Sequence, residues 1–170
     1  MTTALTDQLM RDEWEMRRLA YLYAGAGDGN DPETFASIFT EDAVVVSPQA
    51  TIEGRANLAR IPGMLNDMFA KTMHTVMNQT VKIDGDKAEG ETYCIAYHMH
   101  HPKGGKSMRY VMFIRYQDRF RRENGAWMAV ILARSSASST GSPLPLSRFD
   151  QSWLPPSHES VRSLSRPSRK

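Results

Sequence analysis

Apolar positions recur at helical spacing near the start of this chain and alternate along its second half. From Thr6 to about Ala26, Leu9, Trp14, Met16, Leu19, Leu22 and Tyr23 form an apolar stripe with charge on the other side, as in an amphipathic helix. Thr6, or alternatively Asp7, suits the N-cap. Gly25, Gly27 and Gly29 are expected to stop this helix and leave Asp28 in a turn just past its end. Asp31-Pro32 then starts a short helix through Phe39, with Asp31 as N-cap, Pro32 at the first helical position and Phe35, Ile38 and Phe39 on its apolar face. Glu41-Asp42 reads as a turn, and AVVVS after it as a strand ended by Pro48. RANLARIPGMLNDMFA has helical spacing again, kinked or split at Pro62.

From His74 onward the period becomes two. His74–Ile83, Lys87–His100, Ser107–Arg121 and Trp127–Ala133 read as successive strands. Asp84-Gly85-Asp86 supplies the first hairpin turn, with Lys103-Gly104-Gly105-Lys106 and Glu123-Asn124-Gly125 as the next two. Helices followed by an antiparallel meander predict an α+β fold. Helices packed across the concave face of a strongly curved sheet would leave a pocket between the layers, the natural place for small-molecule chemistry.

Composition narrows the function without naming it. A chain of 170 residues, 41% hydrophobic and 24% charged, fits one soluble domain with its own core. No apolar run approaches the roughly 20 residues that cross a bilayer, and the N-terminus has no secretory pattern, so membrane insertion is not expected. The lone cysteine, Cys94, excludes an intrachain disulfide and reads as a small buried hydrophobe. The default compartment is a reducing cytoplasm. Net charge is +2, but residues 134–170 carry six Lys/Arg against two Asp/Glu, and the body 15 against 17. The body has no basic stripe, which argues against nucleic acid as a partner. Residues 1–134 are read as the folded domain. Residues 135–170 are read as a Ser/Pro-rich basic segment that partly covers it or stays disordered.

Two residues suggest chemistry. Asp28 ends the first helix in LAYLYAGAGDGNDPETFASIFTEDAVV, and His74 opens the strands in MHTVMNQTVKIDGDKAEGETYCIAYH. A carboxylate that orients and charge-balances an imidazole makes a general base near neutral pH. Tyr23 lies on the helical stripe, suited either to packing or to donating a hydrogen bond. Of Tyr97 and His98, strand alternation lets only one face inward. His98, His100 and His101 lack convincing ligand spacing, so no metal is expected. No Walker loop, dinucleotide fingerprint or nucleophile elbow occurs, and no cofactor is implied. Met64, Met68, Met73, Met77, Met108 and Met112 are expected to line a core or an adaptable apolar pocket, with Met112 a candidate substrate contact.

These stretches, together with YQDRFRRENGAW near the end of the meander, resemble the SnoaL-like branch of the NTF2-like superfamily from about Met10 to Trp127. That branch includes polyketide cyclases, scytalone dehydratase-like and bile-acid dehydratase-like lyases, steroid isomerases and a dehydrochlorinase. The resemblance implies a cone-shaped α+β barrel and a homo-oligomer, dimer or trimer. It also implies an aspartate after the first helix, matched by Asp28, a histidine opening the first long strand, matched by His74, and a helical tyrosine, matched by Tyr23. An arginine on the last strand is matched only loosely by Arg134, and RSSASSTGSP replaces the usual apolar final strand with a run of poor strand propensity. The expected function is a cofactor-free lyase (dehydratase) or isomerase acting on a hydrophobic cyclic substrate such as a steroid, terpenoid or polyketide. Tyr97, His98, Met112 and Arg134 are candidate substrate contacts. The alternative is a non-catalytic binding or assembly module on the same scaffold.

Overall fold

The computed structural model describes residues 6–47, 50–102 and 107–144, with residue 107 and residues 134–144 as backbone only. Helix α1 spans Asp7–Asp28 and is capped by Thr6, whose side chain accepts from the Leu9 amide. It continues through Gly25 and Gly27. The stop comes from Asn30, which takes a left-handed φ of 51°, while the Asp31 amide donates to the Ala26 carbonyl at 2.9 Å. This is a Schellman ending with asparagine in the glycine role. Asp28 is therefore the last helical residue and not a turn residue. Gly27 fits inside the helix because its open face packs on Phe35 and Leu65, and tertiary contact outweighs weak propensity.

Asp31 also caps α2 (Pro32–Ser37), accepting from the Thr34 amide at 3.0 Å. Strand β1 (Phe39–Val46) follows at once, so the last turn expected of the short helix is strand instead. Glu41 and Asp42 lie inside β1, where a register irregularity between Phe39 and Val44 takes the place of the expected turn. A short strand β2 (Thr51–Glu53) pairs with β1 and went unread in the sequence. Pro62 does split the next helical stretch, into α3 (Arg55–Leu58) and α4 (Ile61–Met68).

The meander forms as expected: β3 (Lys71–Asp84), β4 (Lys87–Met99), β5 (Ser107–Glu123) and β6 (Ala126–Leu144). Gly85 turns β3 into β4 at φ 58°, and Asn124 and Gly125 turn β5 into β6 at φ 51° and 83°. The Lys103–Lys106 turn lies outside the described residues. The sheet order is β2-β1-β6-β5-β4-β3. β1 runs parallel to β6, so the six-stranded sheet is mixed and open. The expected α+β cone with helices on an antiparallel meander is present, and β1 adds one parallel pair to it. Direction was free at that pair because no hairpin joins β1 to β6.

β6 continues through the polar run to Leu144. Its partner β5 holds it in register from Arg134, opposite Tyr116, to Leu144, opposite Ser107, and ladder pairing overrides weak intrinsic preference. The C-terminal segment from 145 onward lies outside the described residues.

The core sits between α1, α2 and the inner face of the sheet. Met16, Phe35, Ile38, Phe39, Ile114 and Trp127 are buried there. Trp14 is not on the buried stripe. It is 58% exposed and meets Tyr21 edge-on, because the inward position on that turn belongs to Asp12. Asp12 is buried and accepts hydrogen bonds from Trp127 Nε1, an Arg122 guanidinium nitrogen and Gln8 Nε2 at 3.0, 2.8 and 2.9 Å. It ties α1 to β5 and β6. The methionine expectation fails for most of its members: Met64, Met68, Met73, Met77 and Met108 are exposed and only Met112 is buried. Met73 and Met77 occupy the outer-facing phase of β3, which alternation removes from the core.

Candidate active site

Asp28 sits where a carboxylate is least comfortable on helical grounds, in the final turn of α1 at the negative end of the helix dipole. What holds it there comes from β3. Asp28 Oδ1 accepts from Thr72 Oγ1 at 2.7 Å, and Oδ2 accepts from the His74 amide at 2.7 Å. Oδ1 also lies 2.7 Å from His74 Nδ1. Thr72 and His74 share one strand face, two residues apart, so a single carboxylate reaches both. Burial pushes the Asp28 carboxyl upward, but the His74 ring, the His74 amide and Thr72 outweigh it and hold it below the usual carboxylate value.

The clamp fixes an imidazole. An ionised carboxylate can only accept, so the contact requires Nδ1–H to donate to Asp28, and in the neutral ring the lone pair is then on Nε2. The His74 side chain is 5% exposed and lines a cavity under α1 with Tyr23, Ile38, Val76, Cys94 and Tyr116. The free space in this cavity is about 20 Å³, room for roughly one water. Its walls are almost wholly apolar.

The other expected residues divide. Tyr23 is in the cavity wall, its ring 6.3 Å from that of His74, 4.9 Å from Phe35 and 5.7 Å from Tyr116. His98 is the inward member of its pair, 1% exposed, with its ring edge-on to His74 at 5.4 Å and to Phe69 at 4.6 Å. Tyr97 faces the outer surface under Arg109 and is thereby removed as a pocket residue, since alternation sends it away from the cavity. Met112 is buried in the core but is not among the residues that line the cavity. Arg134 pairs with Tyr116 through the backbone, and its side chain lies outside the described residues. Burial, reinforced by the Asp28 charge, pushes the Cys94 thiol up to about 12, so it is an inert wall residue. Among the described residues no three His, Cys, Asp or Glu side chains are grouped to hold a metal ion.

Sequence reasoning missed Tyr116, Thr92 and Asp118, which also line the cavity. The signal was present. Met112, Ile114, Tyr116, Asp118 and Phe120 alternate on β5 and are all buried, so Asp118 stands at an inward position of an apolar strand face.

Residues 8–132 match the family of SnoaL-like domains. The chain belongs to that family. The solved structures place it in the same fold. A candidate scytalone dehydratase from Novosphingobium aromaticivorans is 20% identical with a TM-score of 0.72, covering 86% of this chain and 100% of that one. The type 2 hexachlorocyclohexane dehydrochlorinase LinA is 19% identical with a TM-score of 0.73, covering 85% and 97%. An NTF2-like protein with a cystatin-like fold, also from N. aromaticivorans, is 25% identical with a TM-score of 0.64, covering 76% and 84%. Among curated proteins no match is found. The SnoaL-like domain thus has structural neighbours named as a scytalone dehydratase and a dehydrochlorinase, and no helix among its described residues is long and apolar enough to cross a membrane.

Proposed function

We propose that this SnoaL-like protein is a cofactor-free lyase of the dehydratase type, or an isomerase, acting on a hydrophobic cyclic substrate. The observation that carries the reading is the 2.7 Å contact between Asp28 Oδ1 and His74 Nδ1, reinforced by the amide bond from His74 and set at an apolar cavity. His74 Nε2 removes a proton from a carbon beside a carbonyl, or vinylogous to one. Asp28 holds the tautomer and stabilises the imidazolium as it forms. Tyr23 donates to the substrate oxygen or to the departing hydroxide. Dehydration results when a hydroxide leaves from the neighbouring carbon, and isomerisation when the proton returns elsewhere. Names such as scytalone dehydratase and dehydrochlorinase among the structural neighbours support an elimination.

Asp28→Asn and His74→Ala should abolish turnover of a cyclic β-hydroxy ketone or enone substrate while circular dichroism and Tm stay close to wild type. Full activity in either variant sinks the mechanism. A second reading, a binding or assembly module, is favoured by one observation: the cavity of about 20 Å³ is far smaller than a cyclic substrate. Under that reading no cyclic ketone or alcohol is turned over at any pH, although the dyad is intact.

The proposal extends to a cytoplasmic location and to a homo-oligomer, dimer or trimer. The exposed outward-facing Met73, Met77 and Phe113 on the sheet supply apolar surface for self-association. Sedimentation equilibrium tests that part, and a monomer at 50-fold the assay concentration would refute it.

A further inference from the structure

The oxygen of Asp28 that faces the imidazole carries two donors, and the other oxygen carries one. Oδ1 lies 2.7 Å from both Thr72 Oγ1 and His74 Nδ1, whereas Oδ2 accepts from the His74 amide, also at 2.7 Å. An ionised carboxylate has no proton to give, so the Thr72 hydroxyl donates and points at Asp28. A hydroxyl that merely fastened the end of α1 would do so equally well at Oδ2. Thr72 instead competes with the imidazole for the charge on one atom.

That charge has no permanent cation beside it. Among the described residues the only ion-pair partner of Asp28 is His74, and a neutral His74 supplies no charge. Asp12, also on α1, has the Arg122 guanidinium at 2.8 Å. Asp28 in addition stands in the last turn of its helix, at the negative end of the dipole. Burial raises its carboxyl, and the Thr72 hydroxyl joins the ring and amide of His74 in bringing it back below the usual value.

The competition bears on where the shared proton sits. While His74 is neutral, Nδ1 holds that proton and Oδ1 accepts it. Once Nε2 takes a proton from carbon, imidazolium and carboxylate face each other across 2.7 Å, and the proton on Nδ1 has a second place to go. On Oδ1 it would make Asp28 a neutral acid and remove the charge that stabilises the imidazolium. A hydrogen bond from Thr72 drains charge from Oδ1 and makes that transfer unfavourable. Thr72 reaches the atom because it shares the inner face of β3 with His74, the two lying opposite His98 and Ala96 on β4.

We propose that Thr72 is a positioning residue of the dyad, whose hydroxyl keeps the proton between Asp28 and His74 on the imidazole throughout turnover. The kinetic half of this rests on the reading of His74 as the base. Thr72 is not among the residues that line the cavity, so its removal should appear in kcat and leave KM alone.

Thr72→Val keeps the branched shape and removes the donor, and Thr72→Ser keeps the donor. Proton NMR of the intact protein reads the Nδ1–H of His74 without any substrate. Its resonance should move downfield in Thr72→Val, as the proton is drawn toward Oδ1, and stay at the wild-type position in Thr72→Ser. Carbon-13 NMR should find the Asp28 carboxyl titrating at higher pH in Thr72→Val and at the wild-type pH in Thr72→Ser. With 3-hydroxycyclohexanone as the probe, loss of one water gives cyclohex-2-enone. Thr72→Val should lower kcat for that step about tenfold, the worth of one hydrogen bond to a charged group, and change KM by no more than about twofold. A purely mechanical role predicts the opposite spectrum, an upfield or exchange-broadened Nδ1–H from a loosened contact, and that result overturns the proposal. An unmoved resonance, or Thr72→Ser behaving as Thr72→Val does, overturns it too. Should Thr72→Val fail to fold, Thr72→Ala carries the same expectations. If the wild type leaves the probe untouched, a downfield shift still supports the placement of the proton and no shift overturns it. His74→Ala separates this role from the base it serves. Turnover that persists there sinks the base alone, and turnover lost there but unchanged in Thr72→Val sinks the role of Thr72 alone.

Discussion

Replacing Asp28 with asparagine changes almost no volume and yet should invert the chemistry of His74. Oδ2 faces the His74 amide, which can only donate, and Oδ1 faces Thr72 Oγ1 and His74 Nδ1. The amide oxygen of asparagine must therefore take the Oδ2 place, which puts its NH₂ against Nδ1. Nδ1 then has to accept, the ring proton moves to Nε2, and the nitrogen that faces the cavity becomes a donor with no lone pair. Thr72 can rotate its hydroxyl to accept, so most of the local bonding survives and the stability loss should be about 1 kcal/mol. Catalysis should fall about 10³- to 10⁴-fold, or about 4–5 kcal/mol of transition-state stabilisation. Nitrogen-15 NMR of the imidazole rings reads the tautomer without any substrate. Wild-type His74 should show a protonated Nδ1 and Asp28→Asn a protonated Nε2. An unchanged tautomer, or turnover within tenfold of wild type, would refute the reasoning.

Other expectations follow from the same geometry. Asp28 is held below its usual 3.8, so its contribution to stability is complete above about pH 4 and disappears as pH falls through the lower folded value. Acid titrations should show a shallower loss in Asp28→Asn than in wild type, and identical acid limbs would contradict the clamp. Asp118 has the opposite sign. With a folded value of about 7 against 3.8 unfolded, the native state binds more protons between those limits and wild-type stability falls as pH rises through them. Urea denaturation should find Asp118→Asn more stable relative to wild type at pH 8 than at pH 5, and a pH-independent difference would argue against the buried acid. Gly90 on β4 leaves no room for a methyl group, because an added Cβ would lie 3.0 Å from Phe120, 3.1 Å from Val81 and 3.3 Å from the Thr80 carbonyl. Gly90→Ala should cost about 1–3 kcal/mol in chemical denaturation, and a neutral result would mean the cone opens there easily. Asp12→Ala should cost about 2–3 kcal/mol, since it strands the buried Trp127 N–H and removes the partner of Arg122. A loss under 0.5 kcal/mol on the scale of surface substitutions would deny Asp12 its part in fastening α1.

How much of this was legible depends on the range of the interaction that decides each feature. Local rules sufficed for α1, for the split at Pro62 and for the four meander strands with their Gly85 and Asn124-Gly125 turns, because capping, ring constraint and alternation act over a few residues. They failed where partners lay far away in sequence. The helix ran past Gly25 and Gly27 to Asp28, where Gly29 and the left-handed Asn30 stop it, because Phe35 and Leu65 supported Gly27. The turn expected at Glu41 and Asp42 became an irregularity inside β1 because β6, more than 80 residues later, pairs with Phe39 before them and with Val44–Val46 after them. Alternation said that Tyr97 and His98 face opposite ways, but not which of them faces in.

The amino-acid order alone determined the α+β class, the meander and the presence of an aspartate and a histidine suited to form a base, since periodicity and residue type are properties of the chain. Tertiary structure decided that Asp28 and His74 meet at 2.7 Å, that β1 enters parallel to β6, and that Asp118 is enclosed with one oxygen that has no partner among the described residues. These depend on segments 26 to 90 residues apart in the chain arriving together, and the burial that shifts Asp118 does not exist until the helices have packed on the sheet.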